Sequence, residues 1–297
     1  MLLALSLLWG SSFINLKISL TELEPFTVVF LRVSVASIAL LIWCFIRKKN
    51  MHLSLKEHII IFGLGMVLTA IPFSFFTWGQ KYISTSMASI FNGTVPFFTA
   101  LFAHFLLGQS ERLTINKVIG LLIGLLGILT IIGFDVLTSF DLTNLGQLSI
   151  IAACFFYAVS GIYTRLLVPN HIDNTVISTY SLIWATLVVG VVAIYSDGIP
   201  TLDYSLKVWT SITLLGVLST AVTYVILFRL IKRAGASNTS LTTFVIPIFA
   251  IAIGIIFLGE SLELNEVIGV LLILLGVSFI QNMHKTFGKI LFSKAKI

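Results

Sequence analysis

Arg32 offers the most chemistry in this sequence. It is the one charged residue in the run 25–46 and lies seven residues past Pro25, about 10 Å along a helix. A guanidinium at that depth in an apolar medium faces a cavity or a partner. It can meet a substrate carboxylate or phosphate, snorkel outward, or pair with Glu22 or Glu24. Trp9, Asn15, Asn92, Tyr157, Tyr163, Tyr180, Trp184, Tyr224 and Thr243 also lie inside apolar runs. Rings, amides and hydroxyls make the weak, reversible contacts that a substrate cavity needs. The plainer readings are interface anchoring by Trp and Tyr, which suits Trp78, and helix bridging by Asn and Thr. Asn92 and Thr243 each stand four residues before a proline, Pro96 and Pro247, hence on the same helix face as it. With Pro72, these prolines are candidate hinges, because proline removes a backbone hydrogen bond and kinks a helix. His104 could relay a proton but reads more simply as an interfacial histidine.

Several chemistries are missing. The sequence has no GxxxxGK[ST], no HExxH and no GxSxG, so ATP-driven transport and membrane hydrolysis lack their usual residues. Cys44 and Cys154 both fall in apolar runs and read as packing residues. The expectation is a protein that is not an enzyme, with no metal and no cofactor.

These residues need helices to position them, and the composition says in what solvent. Only 10% of the 297 residues are charged and 58% are hydrophobic, against about 25% charged in a soluble domain. Mean hydropathy is +1.07. A cytosolic enzyme and a disordered chain are both excluded. A spanning helix takes about 20 apolar residues. Ten runs qualify: 1–16, 25–46, 58–80, 82–110, 118–134, 142–164, 174–196, 208–228, 234–259 and 267–284. The runs are continuous rather than alternating, which argues against a β-barrel. The first run lacks a basic n-region and a cleavage site, so it reads as a permanent helix. No Asp or Glu falls within these runs. The usual proton-loading carboxylate is therefore missing, which favours a facilitator or exchanger, or coupling through a group such as His104.

Charge orients the ten runs. With the N-terminus inside, fourteen Lys and Arg fall on the cytoplasmic side and three, Lys17, Lys81 and Lys207, outside. By the positive-inside rule both termini are cytoplasmic. The net charge of +6 thus reports topology and not nucleic-acid binding.

The halves repeat. At an offset of 151, Gly65 meets Gly216, Thr69 meets Thr220, Ala70 meets Ala221 and Pro96 meets Pro247. At 149, Gly120 meets Gly269 and Gly127 meets Gly276; at 148, Trp9 meets Tyr157. Five helices per repeat is odd, so the second repeat enters the membrane upside down, as in secondary carriers. The expected organisation is a first repeat over 1–134, an external linker over 135–145, a second repeat over 146–284 and a basic cytoplasmic tail over 285–297. The fold class is all-α, with ten transmembrane helices as two inverted five-helix repeats.

Leu8-Trp9-Gly10-Ser11-Ser12-Phe13 with Lys17, Pro25 with Leu31-Arg32, and the paired segments Thr94-Val95-Pro96…Leu107-Gly108-Gln109-Ser110 and Val245-Ile246-Pro247…Leu258-Gly259-Glu260-Ser261 resemble EamA-type members of the drug/metabolite transporter superfamily. Gln109 departs from the pattern, where the family usually has Glu. The resemblance covers nearly the whole chain. It implies a carrier of small metabolites, amino acids or drugs, often outward. It also implies a basic residue at the Arg32 position across varied substrates, which favours a structural role there. The expected partners are a small-molecule substrate and the lipid bilayer of the cell (inner) membrane, with no nucleic acid and with the monomer as the working unit. The substrate readings are carboxylate-bearing metabolites such as amino acids or, alternatively, lipophilic drugs or cations. A non-transporting membrane enzyme or scaffold is the remaining class.

Overall fold

A computed structural model describes residues 1–141, 143–201, 203–258 and 263–281. Gly259, Glu260, Ser261 and the expected tail over 285–297 lie outside the described residues. The described chain is helical, with no strand. The helices are α1 (Leu2–Gly10), α2 (Ser12–Ser19), α3 (Pro25–Ile46), α4 (Leu55–Gly65), α5 (Ile71–Gln80), α6 (Thr85–Asn92), α7 (Val95–Leu106) and α8 (Ile115–Ile132). There follow α9 (Leu145–Leu167), α10 (Asn174–Ser196), α11 (Leu206–Gly216), α12 (Thr223–Ala234), α13 (Ala236–Ser240), α14 (Thr242–Leu258) and α15 (Leu264–Ile280). Phe45 and Tyr195 are almost wholly exposed, and many Leu and Ile share the surface. Such a surface suits lipid and not water, so this is a multi-pass membrane protein.

Among the described residues, eight helical stretches are long and apolar enough to cross a membrane, where the sequence predicts ten. The last two expected spans are shorter: α14 and α15 have 17 residues each. The ninth run is cut because Gly235, at φ +86°, ends α12 and a second break at Leu241 separates α13 from α14. The acid-free expectation also shifts at the helix ends. Capping boxes at Ser54/Glu57 and Glu263/Glu266 draw Glu57 and Glu266 into first turns, where carboxylates satisfy free N–H groups.

Each half holds one π-helical stretch, Met66–Ala70 between α4 and α5 and Val217–Val222 between α11 and α12. π-turns shift side chains by one position and recur at functional sites. Small residues let backbones meet. A Cβ on Gly276 would lie 2.6 Å from the Gly120 carbonyl oxygen, and one on Gly127 2.7 Å from that of Gly269. α8 and α15 therefore cross antiparallel at glycine. A Cβ on Gly65 would lie 2.5 Å from the Ser181 carbonyl oxygen, and one on Gly216 2.9 Å from that of Arg32. One end of the bundle is tied by Lys49–Asp173 and Arg165–Glu111 and carries most of the basic residues; the other is tied by Lys81–Glu24 and by Glu22 accepting from Ser205.

Candidate functional site

A cavity opens in the interior between the two ends. It offers about 130 Å³ to the centres of water-sized molecules, and one water needs roughly 10–15 Å³ by that measure, so the space holds several waters or a small solute. Its wall includes Trp9, Arg32, Asn92, Tyr157, Tyr224 and Thr243.

Arg32 is 8% exposed, so the guanidinium does not snorkel. Nor does it pair with Glu22 or Glu24, which bind Ser205 and Lys81. Its Nε donates to Thr220 Oγ1 at 2.8 Å and Nη2 to the Ser219 carbonyl at 3.4 Å. Its Cζ lies 4.3 Å from the centre of the Phe73 ring. These partners are neutral, and among the described residues Arg32 makes no ion pair with a carboxylate. The second π-stretch explains the geometry. Thr220 Oγ1 donates back to the Leu215 carbonyl, five residues earlier, at 2.8 Å. Its lone pair is thereby turned to the guanidinium.

The first π-stretch does the matching work for Tyr224. Thr69 Oγ1 and Tyr224 Oη are 2.9 Å apart, and the Tyr224 hydroxyl also reaches the Leu68 carbonyl at 3.4 Å. Phe73 stands edge-on to Tyr157 and Tyr224, at centroid distances of 6.2 and 6.3 Å, a favourable quadrupole arrangement. The wall is thus one fixed cation, a ring cluster and scattered hydroxyls and amides. Tyr224→Phe leaves the Thr69 hydroxyl without its partner, and we expect about 1 kcal/mol of lost stability, read as a lower melting temperature in detergent.

The other predicted residues sit elsewhere. Asn15 Nδ2 donates to the Ser11 carbonyl. The hydroxyls of Tyr163 and Tyr180 donate to the Ile60 and Met51 carbonyls, tying α9 to α4 and α10 to the loop before α4. His104 Nδ1 accepts from the Leu113 N–H at 3.3 Å. Pro72 and Pro96 occupy first turns, where proline is tolerated, and Pro247 lies inside α14. Among the described residues, no group of three His, Cys, Asp or Glu comes together to hold a metal.

Three groups of the site escape sequence reasoning. Thr69 and Thr220 are legible only as repeat matches, not as partners of cavity residues. Phe73 is one phenylalanine among 24. Glu111 is masked by Gln109, which holds the place where an acid is expected. Glu111 itself stands two residues past that position. It is 6% exposed.

The profile of the EamA-like transporter family matches residues 1–133 and 144–281. An uncharacterized transporter of Bacillus subtilis, YoaV, is 24% identical over 277 residues, covering 93% of this chain and 94% of its own. A probable amino-acid metabolite efflux pump of Escherichia coli is 24% identical over 279 residues, covering 91% and 89%. A solved crystal structure superposes with a TM-score of 0.77 at 17% identity, covering 94% and 95%; this likeness concerns the fold alone.

Proposed function

We propose that this chain, which belongs to the EamA-like transporter family, moves small carboxylate-bearing metabolites across the cell membrane by alternating access. The observation that carries the substrate class is Arg32: a guanidinium in the cavity wall whose hydrogen-bond partners are all neutral. Removing a cation from water is expensive, and an anionic solute is the partner that would offset the expense. Trp9, Asn92, Tyr157, Tyr224 and Thr243 would surround the body of that solute. The bacterial efflux-pump relative supports amino acids or their relatives, and outward movement. A fixed cation in the wall disfavours cationic drugs.

The alternating-access reading is supported by exchanged contacts. Gly120 faces Gly276 while Gly127 faces Gly269, and Gly65 faces Ser181 while Gly216 faces Arg32. Under the 149 offset the Gly120–Gly276 contact is the image of the Gly127–Gly269 contact, as a twofold relation requires. Two inverted repeats, over 1–134 and 146–284, can interchange conformations, with Pro96 and Pro247 as matched hinges. In this reading the basic end is cytoplasmic, the membrane is the inner one, and the monomer is the working unit. Asn15, Tyr163, Tyr180 and Pro72 then serve the helices that frame the cavity.

The test is counterflow into proteoliposomes holding purified protein, with a labelled panel of amino acids, organic acids and lipophilic cations. Saturable exchange of a carboxylate compound is expected. Exchange confined to lipophilic cations would refute the carboxylate reading, and absence of any exchange would refute the carrier.

A further inference from the structure

Glu111 lies in the turn Gly108–Glu111 that follows α7, in the first half of the chain. Its carboxylate crosses to the second half. Oε1 accepts from the Ala236 N–H at 2.9 Å and Oε2 from the Ser237 N–H at 2.7 Å. Arg165 Nε is 3.6 Å from Oε1. The backbone is shaped for this visitor. Gly235 turns the chain at φ +86°, and a Cβ there would stand 2.6 Å from Glu111 Oε1. Successive N–H groups after such a turn form a nest for an anion, and here a side chain of the other half fills it.

The position bears on access. Ala236 donates its N–H to this carboxylate and also lines the cavity. Beside it, Ala103, Ile162 and Ala236 form a buried apolar layer with Phe102 and Leu107 packed on it. Ala236 belongs to both the layer and the cavity wall, and Glu111 braces it there. Ser237 supplies a further sign. Among the described residues its hydroxyl is buried without a hydrogen-bond partner, an arrangement that native interiors avoid. The contact between halves satisfies the Ser237 N–H and leaves its side chain ready for another partner.

We infer that the Glu111 carboxylate, seated in the Gly235–Ser237 nest beside Arg165, is a releasable latch that holds the basic end of the cavity shut. This inference rests on the alternating-access reading. The carrier needs two states of similar free energy, and a contact present in only one of them sets their ratio. Glu111→Gln keeps the shape but removes the charge and turns an amide donor towards a backbone N–H. Glu111→Asp keeps the charge but shortens the reach.

The experiment places a single cysteine at Ser240, which lines the cavity, in a chain with Cys44→Ala and Cys154→Ala. A membrane-impermeant charged maleimide is applied to oriented vesicles from the basic face. Slow labelling is expected with Glu111 present, and labelling faster by about tenfold or more with Glu111→Gln, Glu111→Asp or Arg165→Gln. A tenfold change corresponds to about 1.4 kcal/mol between states. Leu274→Ala, on an exposed face of α15, serves as the control for general loosening. Unchanged labelling in folded Glu111→Gln overturns the latch, as does an equal rise in the control. If Glu111→Gln fails to fold, unchanged labelling in Glu111→Asp overturns it equally. Counterflow by the unmodified protein is run alongside: its presence with unchanged labelling sinks the latch alone, and its absence sinks the carrier.

Discussion

Arg32→Gln is expected to slow exchange of a carboxylate substrate by about 10- to 100-fold. The range follows from the loss of a charged hydrogen bond, about 1.5–3 kcal/mol, at about 1.4 kcal/mol per tenfold. The effect is expected to be selective. A neutral amide analogue of the same substrate should lose little, because it never met the charge. Arg32→Lys should recover only part of the rate. An ammonium keeps the charge but lacks the planar fork that gives Nε to Thr220 and Nη2 to Ser219. Thr220→Val is the companion variant: it leaves the guanidinium in place but frees its Nε. Counterflow rates for the acid and amide pair check this. Equal losses for acid and amide in Arg32→Gln would mean that Arg32 holds α3 against the second π-stretch and does not meet the solute.

Gly276→Ala is expected to lower stability by about 1–3 kcal/mol, as small-to-large changes in a filled interior do. The added methyl would sit 2.6 Å from the Gly120 carbonyl oxygen and 2.7 Å from the Gly124 nitrogen. Both are backbone atoms that no rotamer change can move, so α8 and α15 must part. In lipid, where both neighbours are apolar, close backbone approach is a main source of helix association. Gly127→Ala, which meets the Gly269 carbonyl oxygen at 2.7 Å, should behave alike, and the pair should be less than additive because one separation relieves both. Melting temperatures in detergent, with Leu274→Ala as the lipid-facing control, read the difference. A Gly276→Ala protein that melts with the parent would contradict the close crossing.

Much of this architecture is legible in the sequence alone. Low charge and long apolar runs require lipid as the solvent, and among the described residues the eight helical stretches long and apolar enough to cross fall where the runs do. The matches Gly65/Gly216 and Thr69/Thr220 mark the π-stretches without revealing them, since a π-turn is a register shift that no residue type encodes. Among the described residues two of the ten expected spans fall short, because Gly235 and Leu241 interrupt a run that hydropathy reads as continuous and because α15 has 17 residues.

The cavity is only half legible. Tyr157, Tyr163, Tyr180 and Tyr224 look alike in sequence, each a tyrosine in an apolar run, yet only Tyr157 and Tyr224 reach the cavity wall. In a soluble protein an amphipathic stripe would reveal which way each helix faces. Here both lipid and neighbouring helices are apolar, so the pattern carries little rotational information. Glu111 shows the converse case, a charge that falls between two apolar runs and is buried by a helix terminus more than a hundred residues away. Composition thus determined the solvent and the position of most spans, because each is a sum over local residues. The tertiary structure alone decided which side chains share a cavity and which carboxylate joins the halves, because those depend on helix rotation and on contacts between distant segments.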